Sequence, residues 1–303
     1  MCSNRRRDKQ SPSGISEVAG FERDIKMELG LCIEMAFAKL PFDQRFARAA
    51  QLGFKNVEMW FVRDFSYNGT PEELARIAEK NNLKITNTVI GSPDGSLGGG
   101  LTNPANRQQW LDRAKMTIEF NKRANIPATI VCTGNIVKGM SRQQMMRSVL
   151  EGLKRTVEIA EEAGVTLLLE PLNDRYDHPD YFSTSSDQAA QVCRKIGSQR
   201  LKMLFDCYHM QIMEGDLIKH IERNIDVIGH FHSAGVPGRG ELYQGETNYP
   251  FVMAQIEKLG YRGIFGLEYV PSIDDEASLK KTLEYLRAYP KTVTLSEAKG
   301  LVS

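Results

Sequence analysis

Val165 to Pro171 reads VTLLLEP, a β-prone run that ends in a carboxylate and a proline. A helix-like stretch, Ser141 to Ala163, precedes it and stops at Gly164. Another, Asp187 to Ile196, follows it and stops at Gly197. Gly just past the last turn supplies the left-handed residue that closes a helix. Strand and helix alternating in this way define a βα repeat and a parallel sheet.

The unit recurs in both directions from this point. The other β-prone runs are Met27 to Ile33, Asn56 to Phe61, Leu83 to Ile90, Pro127 to Gly134, Leu201 to Cys207, Val227 to Gly235 and Gly263 to Tyr269, which makes eight. Between them lie the helical stretches Phe42 to Gln51, Pro71 to Asn81, Asn103 to Ala124, Asp216 to Arg223 and Tyr249 to Leu259, and Ala277 to Ala288 closes the series. Thr70 is a good cap for the second of these, with Pro at the first helical position. Trp110, Ala114, Ile118 and Asn121 fall near one face of the third. Eight strand–helix units in a chain of 303 residues predict a closed (β/α)8 TIM barrel of the α/β class. The alternative is an open doubly wound sheet. It leaves edges to protect, and the first run lacks the GxGxxG turn of a dinucleotide binder.

Lys26 to Pro290 holds no composition break, so residues 26–303 read as one barrel domain behind a solvated, disordered tail over residues 1–25. The tail's Arg run is not followed by the apolar segment of a signal peptide. The loop GSPDGSLGGG, Gly91 to Gly100, lacks the GK[ST] of a phosphate loop and reads as a mobile surface lid.

Composition narrows the function. Lys plus Arg total 39 and Asp plus Glu 38, a net charge of +1, which argues against a nucleic-acid or membrane-surface binder. No run of about 18 apolar residues is present to cross a membrane. Five Cys, at 2, 32, 132, 193 and 207, form no metal-like spacing and no even disulfide set. A reducing, cytoplasmic compartment fits them.

In a barrel of this kind, chemistry gathers at the C-terminal ends of the strands. There Glu170 ends LLLEP, Asp206 ends MLFDC, His232 sits in HFHSAG and Glu268 ends FGLEY. These are equivalent positions on four consecutive runs, so the side chains meet on one side of the mouth. Three carboxylates cannot be buried together unpaired, and a divalent cation resolves their repulsion. Three oxygen donors and one nitrogen suit Mn²⁺, Mg²⁺ or Co²⁺; Zn²⁺ more usually takes sulfur or several His.

The segments LEPLN, FDCYHMQIMEGD, GHFHSAGVPGRGE, GETNY and GLEYVPS resemble the hydroxypyruvate isomerase branch of the xylose isomerase-like barrel superfamily, which also contains the ketose 3-epimerases. The resemblance runs from about Met27 to Pro290 and is strongest from Val165 onward. It implies one Mn²⁺ or Mg²⁺ held by Glu170, Asp206, His232 and Glu268, a small keto acid or sugar as substrate, and a homo-oligomer. It also implies that His209 contacts a substrate oxygen. Isomerases of the hydroxypyruvate type often carry Gln where this chain has His232, which leans toward the epimerases.

Two Glu facing each other across a metal suit proton abstraction beside a carbonyl. Glu170 and Glu268 are therefore the expected acid/base pair, working through a cis-enediolate. Arg239, on a loop shaped by Gly and Pro, either grips a substrate carboxylate or hydroxyl or pairs with Glu241 or Glu246. Glu246 pins Arg239 or its loop. Glu58 and Trp60 end the second run and are further substrate contacts, although Trp60 fits a plain core role equally well. Asn87 and Thr133 line the mouth. His178 and Tyr181 lie in a loop expected to fold over the site, where His178 is a ligand, a substrate contact or neither. His220 and His230 are read as structural, pointing away from the mouth. Other readings on the same scaffold are a ketose 3-epimerase, a dehydratase or lyase of the dehydroshikimate type, an abasic-site nuclease and a non-enzymatic carbohydrate binder. The nuclease needs several more His than the five present.

Overall fold

The computed structural model describes residues 27–63 and 66–287. The expected tail over residues 1–25 and the far C-terminal end of the domain lie outside them. Nine parallel strands form the barrel wall: β1 (Glu28–Cys32), β2 (Asn56–Glu58), β3 (Lys84–Ile85), β4 (Asn87–Ile90), β5 (Ala128–Val131), β6 (Thr166–Leu169), β7 (Leu201–Asp206), β8 (Ile228–Ser233) and β9 (Ile264–Leu267). Their spatial order is β3-β2-β1-β9-β8-β7-β6-β5-β4. The ninth strand arises because the third expected run is split at Thr86 into β3, which pairs with β2, and β4, which pairs with β5. Hydrogen bonds from Met59 N to Asn87 O (3.3 Å) and from Val89 N to Trp60 O (2.7 Å) carry the chain after β2 alongside β4. They bring the two ends of the sheet together, so the wall is a (β/α)8 barrel with one stepped stave.

The helices stand where capping chemistry puts them. α1 is Phe42–Gln51 and α2 is Pro71–Lys80, the latter opened by a reciprocal capping box between Thr70 and Glu73. α3 (Arg107–Arg123) turns Trp110, Ala114, Ile118 and Asn121 inward, as the pattern predicts. The polar member of that face is satisfied: Asn121 Nδ2 donates to Thr88 Oγ1 (2.8 Å) and to Ala128 O (3.1 Å). α4 (Arg142–Ala163) and α5 (Ser186–Ile196) end at Gly164 and Gly197, with φ of 74° and 73°. There only Gly adopts the left-handed turn without strain. α6 (Cys207–Met213) is absent from the expected series and leads directly out of β7. α7 (Leu217–Asn224), α8 (Tyr249–Lys258) and α9 (Asp275–Arg287) complete the outer ring.

The loop 91–100 departs from the expected lid. Asp94 Oδ1 accepts from Ser92 Oγ, Ser96 N and Ser96 Oγ at 2.6–2.9 Å, and Gly91, Gly99 and Gly100 are buried. A side chain on Gly134 would collide with Gly100 Cα, so glycine lets this loop press against the exit of β5. Among the described residues, no helix is long and apolar enough to cross a membrane. Cys32, Cys132, Cys193 and Cys207 are free and buried.

Candidate active site

Parallel strands deliver their C-terminal ends to one face of the barrel. Glu170 follows β6, Asp206 ends β7, His232 lies near the end of β8 and Glu268 follows β9. Asp206 and His232 are direct partners across the β7–β8 ladder. One ligand atom from each of Glu170, Asp206, His232 and Glu268 lies within 4.8 Å of the others, and all four residues are buried. Burial pushes the Asp206 carboxyl up to about 7, with the Glu170 charge adding to it, and burial likewise raises Glu170. At Glu268 burial is outweighed by the His232 and Arg239 charges and by the bond from Trp60 Nε1, which hold it well below the usual carboxylate range.

His232 shows what this cluster is built to receive. Its Nε2 donates to Glu58 Oε2 at 2.6 Å. Its Nδ1 is buried without a hydrogen-bond partner, 3.4 Å from Glu268 Oε2 and 3.8 Å from Glu170 Oε1. Against burial, the Glu58 and Glu268 charges raise His232 well above the ordinary His value. Without a cation, Nδ1 therefore carries a proton toward the carboxylates, and a bound cation would take that proton's place while Nε2–H stays on Glu58. Three carboxylates and one imidazole nitrogen make a donor set for a divalent cation.

Other side chains frame this cluster. Trp60 Nε1 donates to Glu268 Oε1 at 2.9 Å, and Arg239 Nη2 donates to Glu268 Oε2 at 2.6 Å. The guanidinium also lies over the Tyr208 ring, 5.4 Å from its centroid. The partner of Arg239 is thus Glu268, not Glu241 or Glu246. Asp206 caps α6 by accepting from Tyr208 N (2.7 Å) and His209 N (3.4 Å), so one carboxylate both ends the strand and starts the helix. His209 Nδ1 accepts from Asn173 N at 3.2 Å, which places its proton on Nε2. That Nε2 is buried, has no hydrogen-bond partner and sits 3.5 Å from Asp206 Oδ2. Burial, reinforced by the Arg239 charge, holds His209 neutral by pushing it well below the ordinary His value. His178 is half-buried with its ring 5.4 Å from that of His209, and burial lowers it too.

Several expected residues stand elsewhere. Glu246 is exposed, accepts from Gln211 Nε2 at 3.1 Å and does not reach Arg239. Its backbone N binds Val236 O at 2.8 Å instead. Glu241 accepts from Ser272 and Ser278 and ties two loops together. Glu58 is not at the surface of the mouth: it is 2% exposed and both its oxygens are occupied by imidazoles. Asn87 and Thr133 are buried in the wall, with Asn87 Nδ2 on Thr86 Oγ1 and Thr133 N on Tyr181 Oη. Tyr181 donates to Glu170 O at 3.0 Å and braces the strand end from below the loop. His220 pairs with Ser186, Asp187 and Glu214 on the outer helices, as a structural residue should.

The reading of His230 is corrected. In a strand, residues two apart share a face, so HFH points His230 and His232 the same way. His230 Nε2 donates to Glu58 Oε1 at 2.9 Å, inside the barrel. Glu34 is a residue the sequence reading missed. Its Oε2 accepts from Trp60 N (2.5 Å), its Oε1 is buried without a partner, and burial pushes it up to about 7. It follows β1 by two positions, so the strand-end rule that found the other four applied to it as well.

Residues 46–289 match the family model described as the xylose isomerase-like TIM barrel. The chain belongs to this family. It is 33% identical over 258 residues to the 2-oxo-tetronate isomerase of Cupriavidus necator, covering 84% of this chain and 96% of that one. It is 31% identical over 250 residues to the hydroxypyruvate isomerase of Escherichia coli K12, covering 82% and 95%. A solved structure described as an AP endonuclease, family 2, from Brucella melitensis superposes with a TM-score of 0.77 at 28% identity, over 86% of this chain and 99% of that one. The resemblance read from LEPLN, HFHSAG and GLEY therefore stands at the level of family and of isomerase relatives.

Proposed function

We propose that the protein is a divalent-metal-dependent isomerase of a small 2-oxo acid or sugar, with hydroxypyruvate as the leading substrate. The observation that carries this reading is the convergence of three carboxylates and one imidazole nitrogen within 4.8 Å of one another. The names of relatives covering most of the chain point the same way.

Glu170, Asp206, His232 and Glu268 would hold one cation, Mn²⁺ or Mg²⁺, with Co²⁺ and Zn²⁺ as substitutes. When bound, such a cation acidifies the C–H beside a carbonyl and stabilises developing negative charge. The chain's own residues then do the proton work. One of Glu170 and Glu268 removes a proton from the CH₂OH carbon, and the other delivers one to the former carbonyl carbon. The hydroxyl proton passes to the other oxygen, so hydroxypyruvate becomes tartronate semialdehyde with no change of mass. His209, neutral, presents Nε2–H to a substrate oxygen. Arg239 turns its remaining N–H groups to the substrate carboxylate. Trp60 walls the pocket and orients Glu268 through Nε1.

His232 in place of Gln supports a second reading, a ketose 3-epimerase, in which the carbonyl stays put and one stereocentre inverts. NMR in D₂O with added Mn²⁺ separates the readings. Hydroxypyruvate is expected to exchange its carbon-bound protons and yield an aldehyde signal, lost in chelator and restored by Mn²⁺. Full turnover in chelator overturns the proposal, loss of water from the product favours the lyase alternative, and exchange confined to ketose C3 favours the epimerase.

A further inference from the structure

One layer below the four converging ligands lies a polar trio that the proposed proton transfers do not use. Glu58, His230 and His232 are buried, and their ligand-type atoms also lie within 4.8 Å of one another. Glu58 accepts from His230 Nε2 through Oε1 (2.9 Å) and from His232 Nε2 through Oε2 (2.6 Å). The two rings pack edge to face with centroids 5.0 Å apart. Room for this trio is made by the absence of side chains on the neighbouring strands. A Cβ on Gly266 would lie 2.6 Å from Glu58 Oε1 and 2.7 Å from His232 Cδ2, and one on Gly30 would collide with Glu58 Oε1.

A carboxylate only accepts hydrogen bonds, so each imidazole must spend its Nε2–H on Glu58. For His232 this has a consequence at the other end of the ring. With one proton committed to Nε2, Nδ1 is the nitrogen that can give up its proton to a cation, and the ring is rotationally fixed with Nδ1 toward Glu170 and Glu268. His230 holds the second oxygen and stops Glu58 from turning away. Carboxylate partners of this kind raise the basicity and fix the tautomer of a metal-bound His, and their loss typically weakens binding about tenfold to a hundredfold.

We propose that Glu58, braced by His230 and housed by Gly30 and Gly266, is the positioning residue that keeps His232 in its Nε2–H tautomer and so sets the cation affinity of the site. The inference rests on the cation-binding reading above. Mn²⁺ titration of the full chain, with free Mn²⁺ read from its electron paramagnetic resonance signal, tests it. Glu58→Gln offers one acceptor oxygen to two N–H groups, and about a tenfold to hundredfold weaker Mn²⁺ affinity is expected. Gly266→Ala keeps every polar group and is expected to weaken Mn²⁺ in the same direction. Asp206→Asn serves as the reference for a lost site. If the unaltered chain binds Mn²⁺ no better than Asp206→Asn, the cation-binding reading itself fails. If it binds better, and Glu58→Gln and Gly266→Ala match it, the positioning role is overturned. Should the variants fail to fold, nitrogen-15 NMR of the histidines in the unaltered, Mg²⁺-loaded chain decides. A proton on His232 Nε2 with Nδ1 unprotonated supports the inference, and a proton on Nδ1 overturns it. Two Mn²⁺ per chain, one of them lost in His230→Leu, would also overturn it, since the trio would then be a second cation site.

Discussion

The mouth of the barrel and the layer beneath it are built from the same kinds of residue to opposite ends. Beneath, both Glu58 oxygens are bonded to imidazole N–H groups. At the mouth, His232 Nδ1, His209 Nε2, Glu34 Oε1 and Arg239 Nε are all buried without a hydrogen-bond partner. Unpaired buried polar atoms cost about 1–3 kcal/mol each, so a protein retains them where something else is meant to bind. The lower layer is finished in the folded chain, and the upper one is completed by cation and substrate.

That contrast can be broken most sharply at Glu268. Glu268→Gln is expected to lower kcat on the responsive substrate about a hundredfold to ten-thousandfold, while the chain stays folded by circular dichroism. Near-normal turnover would remove Glu268 from the acid/base pair. His209→Ala takes away one donor and is expected to lower kcat about a hundredfold to a thousandfold.

A pH series on the cation-free chain sharpens the same comparison. Asp206 is pushed up from 3.8 to about 7 and Glu34 from 4.5 to about 7, so the folded state binds more protons than the unfolded one in that interval. Below about pH 6.5 the lowered His209 and His178 oppose this, because the unfolded chain protonates those rings and the folded one does not. Above it, stability falls as pH rises through about 7. The raised His232 acts in the same direction, its contribution being lost as pH rises through its folded value. Glu58, held down at about 2, acts the other way, but only as pH falls below its ordinary value of 4.5. The melting temperature without metal is expected to drop from about pH 6.5 to 8. At pH 7, Mn²⁺ at a hundredfold over its Kd should add about 2.7 kcal/mol. A melting temperature that rises from about pH 6.5 to 8 without metal would contradict the burial account of these carboxyls.

Smaller effects belong to the wall. Tyr181→Phe removes the bond to Glu170 O and is expected to cost about 0.5–1.5 kcal/mol in urea unfolding. Glu246→Ala, on an exposed side chain, is expected to change stability by less than about 0.5 kcal/mol and to leave kcat unaltered.

The sequence made the barrel legible because its punctuation is local. Gly164 and Gly197 end helices by backbone chemistry alone, and LLLEP announces a strand end with a charge on it. The same logic brought out Glu170, Asp206, His232 and Glu268, since equivalent strand ends converge in any closed barrel. What it could not deliver were relations across the barrel. Nothing local says that Glu58 reaches β8, that Gly266 leaves space for it, or that Arg239 turns to Glu268 rather than to its sequence neighbours. The step at Thr86 is likewise a matter of how the wall closes, not of the residues on either side. His230 and Glu34 are different: strand periodicity and the strand-end rule contained both, and they were read past.

A crystal of the chain grown with Mn²⁺ and measured at the manganese absorption edge tests the central claim most directly. The account predicts one anomalous peak per chain, bonded to Glu170, Asp206, His232 through Nδ1, and Glu268. No peak at that mouth in fully loaded crystals, or a peak that leaves two or more of these side chains unbonded, would contradict it.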